Sequence, residues 1–81
     1  MLQPKIAEVS PLSDYKLLLI YETNERKFFD VAPYISGDWF GKLHDSEYFN
    51  TVRVSGNTVE WKGGQDIAPH ELYEYSVAQQ K

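Results

Sequence analysis

Trp61-Lys62-Gly63-Gly64-Gln65-Asp66-Ile67-Ala68-Pro69-His70-Glu71-Leu72-Tyr73 is the stretch on which the fold turns. It joins the end of a predicted strand to the start of a predicted helix. Trp61 is expected to anchor the strand in the core. Gly63-Gly64 marks a sharp redirection. Pro69 suits the first position of a helix, where its missing N–H costs nothing. Glu71 follows in the first turn, where negative charge complements the helix dipole. Leu72, Tyr73, Ser76 and Val77 recur at three- and four-residue spacing as the buried stripe. Asp66 is expected to hold the turn by accepting hydrogen bonds from backbone amides. The segment reads as a structural clasp, and the tail Ala78 to Lys81 is expected to fray.

Before the clasp, a two-residue period dominates. Thr51 to Ser55 and Thr58 to Trp61 alternate around a Gly56-Asn57 turn and predict a hairpin, with Val52 and Val54 inward and Val59 and Trp61 on one face. Tyr15 to Glu22 is the strongest strand. Leu17, Leu19 and Tyr21 point one way, Leu18 and Ile20 the other, which predicts a central strand covered on both sides. Thr23-Asn24-Glu25 supplies a tight turn in which Asn24 takes positive φ. Arg26 to Val31 returns, with Phe29 and Val31 on one face and Phe28 on the other. Lys5 to Ser10 predicts a short first strand. Pro11 has no amide donor and must end the pairing or sit on an edge, and Pro11 to Asp14 reads as a turn.

Between the hairpins, Ala32 to Phe49 loses the period. Tyr34-Ile35 and Trp39-Phe40-Lys42-Leu43 read as single helical or 3₁₀ turns that drop aromatics into the core. Asp45 to Phe49 reads as another, capped by Asp45 or Ser46. The expected architecture is α+β: one small antiparallel sheet built from two β-hairpins plus a short N-terminal strand, an irregular aromatic-rich middle and one C-terminal helix. Residues 1–81 form a single domain.

Composition narrows the function classes. Four Phe, six Tyr and two Trp in 81 residues argue for an ordered core. No cysteine is present, so disulfides and thiolate metal sites are excluded, and a cytoplasmic setting is expected. The longest apolar run, Leu17 to Tyr21, is far too short to span a bilayer as a helix, so no membrane partner is expected. A net charge of −4 repels phosphate backbones on average.

Candidate chemistry is sparse. His44 and His70 lie in different elements without the spacing of a zinc site. The serines fall in no nucleophile motif. Lys62 precedes the glycines, the wrong side for a phosphate loop. Asp14, Asp30 and Asp66 sit at element ends, where Asp bonds free backbone amides. No catalytic, cofactor-binding or metal-ligating residue is assigned, and no cofactor is expected. An alternative is a small ligand-binding or hydrolytic domain using Asp14, Asp66 and His70 around one pocket. A third reading is weak nucleic-acid binding through the first hairpin, where Lys16, Arg26 and Lys27 lie among aromatics. Glu22, Glu25 and Asp30 beside them make a solvated face the better account, and nucleic acid is ranked below protein as a partner.

Three motifs follow one another in order: Val9-x-Pro11-Leu12-x-Asp14-Tyr15-x-Leu17, then Phe29-Asp30-Val31-x-Pro33, then Trp61-x-x-Gly64-x-Asp66-Ile67-x-Pro69-x-x-Leu72-Tyr73. Together they resemble the bacterial domain of unknown function 2442 family over nearly the whole chain. The resemblance implies a small α+β domain with no defined catalytic residues. Relatives are often encoded beside another small protein in a toxin–antitoxin-like arrangement. A small, toxin-like protein partner is therefore expected, with self-association also open. Family members usually carry Asn-Gly or a similar glycine turn in the first hairpin, where this chain has Thr23-Asn24-Glu25. The helix-turn-helix that some relatives carry has no counterpart after Lys81, so DNA binding through it is not expected. The leading expectation is a non-enzymatic protein-interaction module, the antitoxin-like half of a two-protein pair, working through a sheet edge or the aromatic belt of Tyr34, Trp39, Phe40, Tyr48 and Phe49. The residues expected to carry structure or interaction are Asp14, Tyr15, Asp30, Trp39, Phe40, Trp61, Gly64, Asp66, Pro69, Leu72 and Tyr73.

Overall fold

The apolar alternation around Leu17–Tyr21 builds the centre of a four-stranded antiparallel sheet. A computed structural model describes residues 4–35, 37 and 41–78. Strands β1 (Ile6–Leu12), β2 (Lys16–Tyr21) and β3 (Arg26–Asp30) run in sequence order. A two-residue strand β6 (Val77–Ala78) pairs with β3, giving the order β1-β2-β3-β6. The second hairpin, β4 (Arg53–Ser55) and β5 (Thr58–Glu60), forms its own two-stranded sheet. Among the described residues, helices run over α1 (Ser46–Phe49) and α2 (Pro69–Tyr75). Short 3₁₀ turns cover Ser13–Tyr15, Ala32–Tyr34 and Gly41–His44. The α+β class holds, with the second hairpin standing apart from the main sheet.

The edges of the main sheet differ from the expectation. β1 continues past Ser10 to Leu12, with Pro11 opposite Leu17. Pro11 is tolerated because β1 is an edge strand, where a missing donor breaks no ladder. The register shifts between Ile6 and Glu8, so a bulge also bends this edge. The turn begins two residues later than Pro11, at Ser13, and brings Asp14 and Tyr15 both to φ 60. A left-handed Asp is common enough; a left-handed Tyr is an outlier that the surroundings must hold in place. The Tyr15 hydroxyl does this by donating to the His44 carbonyl at 2.6 Å. Its ring stands edge-on to Phe49 at 5.5 Å.

At the other end, α2 stops at Tyr75, so Val77 does not continue a buried helical stripe. The reason lies in the last carbonyls. The Tyr73 oxygen accepts from Ser76 Oγ at 2.8 Å and from Lys27 Nζ at 2.8 Å. Side chains thereby satisfy an orphan carbonyl and place a cation at the negative end of the helix dipole. Ser76 turns extended at ψ 153, and Val77–Ala78 joins β3. Ala78 is thus paired, whereas residues 79–81 of the expected frayed tail lie outside the described residues.

The core lies on one side of the main sheet. Leu17, Leu19, Tyr21 and Phe29 meet Leu43, Phe49, Val59, Trp61, Ile67 and Leu72 there. Leu17 and Leu19 are 0% exposed and Tyr21 is 1%. The other side of β2 is not covered to the same degree: Leu18 and Ile20 are only half-buried. In the second hairpin Val59 is buried as expected, whereas Val54 is exposed and Val52 half-buried. Three residues are too few to wrap a second sheet onto the core along both strands.

Candidate functional site

The clasp comes first, because it holds most of the residues singled out from sequence. Trp61 is fully buried, and its Nε1 donates to the Phe49 carbonyl at 2.8 Å. Trp61 N donates to Gln65 O at 2.8 Å, and Gly64 N to Trp61 O at 2.8 Å. Gly64 sits at φ 94, which few residues other than glycine adopt. Glu60 and Asp66 form an antiparallel bridge across the loop. Pro69 opens α2, Leu72 is fully buried and Tyr73 half-buried. Tyr73 lies edge-on to Tyr21 at 5.1 Å.

Asp66 is the exception. Its side chain is exposed and makes no hydrogen bond among the described residues. The inward residue is its neighbour Gln65, 0% exposed, whose Oε1 accepts from the Tyr48 hydroxyl at 3.0 Å. Gly63 is needed for the same contact. A Cβ there would lie 1.9 Å from Tyr48 Oη and 2.8 Å from Gln65 Oε1. Neither Gln65 nor this packing need was legible, since a polar residue between Gly64 and Asp66 reads as loop.

The other named residues divide by role. Asp30 accepts from Ala32 N at 3.0 Å, the capping use expected of it. Asp14 makes no such bond; it lines an open cleft of about 450 Å³ with Leu12, Ser13, Ser46 and Asn50 among its neighbours. Asp66 and His70 do not line that cleft, so the structure does not bring the three together around it. Trp39 and Phe40 lie outside the described residues. The rest of the aromatic belt packs inward: Phe49 is buried, Tyr34 lies 5.6 Å from Phe29, and Tyr48 is committed to Gln65.

The basic groups of the first hairpin are not gathered either. Lys27 belongs to the core side of the sheet. There it caps α2 and sits 3.8 Å over the Tyr73 ring. Lys16 and Arg26 lie on the opposite side, each first in its strand and therefore at opposite ends of the antiparallel pair. The Tyr73 hydroxyl donates to Glu25, and Thr23 Oγ1 donates to the same carboxylate at 2.8 Å. These bonds, Thr23 first, hold the Glu25 carboxyl below its ordinary range. The Glu25 contact in turn pushes the Tyr73 phenol up. Burial, and then a hydrogen bond to Glu71, raises the Tyr34 phenol. Tyr21 is pushed furthest, to about 12, mainly by burial. Its hydroxyl has no hydrogen-bond partner among the described residues.

What stands out as a surface is the outer face of the main sheet. The register sets three rows across it: Glu8-Ile20-Arg26, then Ser10-Leu18-Phe28-Val77, then Leu12-Lys16-Asp30. Directly opposed residues share a face. Leu18, Ile20 and Phe28 are half-buried, Leu12 is 37% exposed and Val77 is 63% exposed. Charges occupy the first and last rows only. No described helix is long and apolar enough to cross a membrane. No group of three or more His, Cys, Asp or Glu among the described residues could hold a metal ion.

Fold and surface together define a small α+β domain with one packed and one apolar, half-open sheet face. The chain belongs to the family described as protein of unknown function (DUF2442), whose model matches residues 6–78. Neither curated proteins nor solved structures gave a match.

Proposed function

We propose that this chain is a small non-enzymatic protein-interaction module whose working surface is the outer face of the four-stranded sheet. One observation carries the reading. Ile20, Leu18, Phe28, Val77 and Leu12 form a continuous apolar patch with charges at both ends, on a sheet whose other face is fully used by the core. Patches of this make-up mark association sites on small proteins. The sheet edge is a poorer candidate than the face. β1 carries a bulge and Pro11, two devices that blunt strand addition, and β6 covers part of β3. A bacterial, cytoplasmic, antitoxin-like role beside a small protein follows the family likeness and belongs to this proposal.

The test is a photo-crosslinking amino acid placed at Phe28 and, separately, at Glu47 on α1, in the native host. A protein adduct from position 28 and none from 47 is expected, with the adduct identified by mass. No protein adduct from position 28 under any growth condition overturns the reading.

A further inference from the structure

The outer face is self-complementary, and the geometry points to a second copy of this chain as its occupant. This rests on the face being a protein-docking surface and goes further by naming what docks. Its charges are Glu8, Lys16, Arg26 and Asp30, two of each sign, so the face is neutral on a chain of net charge −4. Two negative chains that must meet have their neutral surface here. Among the described residues Arg26 and Lys16 form no ion pair, since the Arg53–Glu60 contact is the one that occurs. Within the described residues, both cations are therefore available to a partner.

The positions of the four charges select one symmetry. Along β3 the outward residues are Arg26, Phe28 and Asp30, a cation and an anion on either side of an aromatic ring. Consider a twofold axis lying in the interface, across the strands and through the row Ser10-Leu18-Phe28-Val77. It maps the first row onto the last. Arg26 then faces Asp30 of the second copy, and Asp30 faces Arg26. Phe28 meets Phe28, and Leu18 meets Leu18. Glu8 lies over Leu12, one strand from Lys16 of the other copy, within reach at the ~4.8 Å strand spacing. Every charge on the face finds an opposite one, and the apolar row closes on itself. A twofold running along the strands between β2 and β3 does less well. It pairs Lys16 with Asp30 and, as the first axis does with Lys16, sets one cation (Arg26) over Ile20, but it lays the exposed Val77 over Ser10, where the first axis closes Val77 on Val77. The first axis is therefore the one assigned, with the two sheets stacked ~10 Å apart.

The association is weak by size. Four strands by about five residues project on the order of 300 Å². A standard interface takes ~800 Å² from each partner. A weak, reversible dimer that dissolves on dilution is the expected behaviour.

Sedimentation equilibrium of the purified chain over a wide concentration range tests this, with thermal melts as the check on folding. The wild type is expected to approach twice its monomer mass. Arg26→Asp and Asp30→Arg are each expected to weaken self-association about tenfold or more, because each sets like charges face to face. Mixing the two variants is expected to restore a dimer, since each copy then offers the charge that the other has lost. Arg26→Asp leaves the Asp30 cap intact, so it keeps the test valid should Asp30→Arg unfold. A wild type that stays monomeric throughout overturns the second copy. So does a mixture that associates no better than its parts. The photo-crosslink at position 28 separates the two levels. An adduct to a different protein leaves the docking face standing and removes the self-pairing, whereas no adduct at all removes both.

Discussion

The two faces of β2 are made of the same kinds of residue and end in opposite conditions. Leu17, Leu19 and Tyr21 lie at 0–1% exposure beneath α2, Trp61 and the aromatic middle, whereas Leu18 and Ile20 keep part of their surface in water. A run of five apolar residues carries no sign of which alternate set will be covered. The difference comes from where the chain returns. Among the described residues after Asp30, the buried ones, Leu43, Phe49, Val59, Trp61, Ile67 and Leu72, join the core cluster of Leu17, Leu19 and Tyr21, and the short β6 lies beside β3 rather than above it. That partly open apolar face is the one on which the proposed docking rests.

The largest expected effect tests this asymmetry directly. Leu19→Ala should cost about 2–5 kcal/mol in denaturant unfolding, because it leaves a cavity among residues that cannot collapse into it. Leu18→Ala, one residue away, should cost about 1.5 kcal/mol or less. Equal losses would mean that the faces are not different.

Tyr21 sharpens the picture of the packed face. Its hydroxyl is buried without a partner among the described residues, and burial raises its pKa from 10.0 to about 12. A group raised in the folded state adds stability that is whole below the unfolded value and is lost as pH rises through the folded one. Stability should therefore fall between pH 10 and about 12, with Tyr21 contributing about 2–3 kcal/mol of that loss. Tyr21→Phe should flatten this alkaline limb. At pH 7 it should leave stability unchanged or raise it by about 1 kcal/mol, since it removes an unsatisfied polar atom. An alkaline limb unaltered by the substitution would show that the hydroxyl is solvated.

The same contrast between neighbours recurs in the clasp, where Gly63 and Gln65 serve the interior and Asp66 does not. Gly63→Ala should cost about 1–3 kcal/mol by displacing the Tyr48 hydroxyl from Gln65. In a Tyr48→Phe background the same change should cost less, because the clashing oxygen is gone, and a double-mutant cycle reads the coupling. The smallest effect is expected at Asp66. Asp66→Ala should stay within about 0.5 kcal/mol of the parent, as for an exposed side chain outside any network. A loss of 0.5–2 kcal/mol would restore it to the capping role that its position suggests.

Much of this was legible because it is local. Asn24 at φ 72, Asp45 accepting from Glu47 N, Pro69 at the start of α2 and Gly64 at φ 94 follow from what each residue type can do with its own backbone. Trp61 and Leu72 follow from size and apolarity. The strand pairing of residues 16–30 follows from the two-residue period and a turn. Other features depended on partners far along the chain. The end of α2 is fixed by Lys27, distant in sequence, and that end frees Val77–Ala78 to become a strand. Gln65 reads as loop until Tyr48 is placed beside it. Asp14, Asp66 and His70 could be imagined around one pocket until the cleft proved to contain only Asp14.

The sequence by itself determined the α+β class, the turns at Asn24 and Gly64, the caps at Asp30 and Asp45 and the large core residues such as Trp61 and Leu72, because propensity and periodicity act over a few residues. Only the tertiary structure decided which face of the sheet is buried, which clasp residue points inward and how the four charges frame the open face. Those depend on strand register and on where later segments land, and register brings together residues whose separation in the chain carries no trace of their meeting.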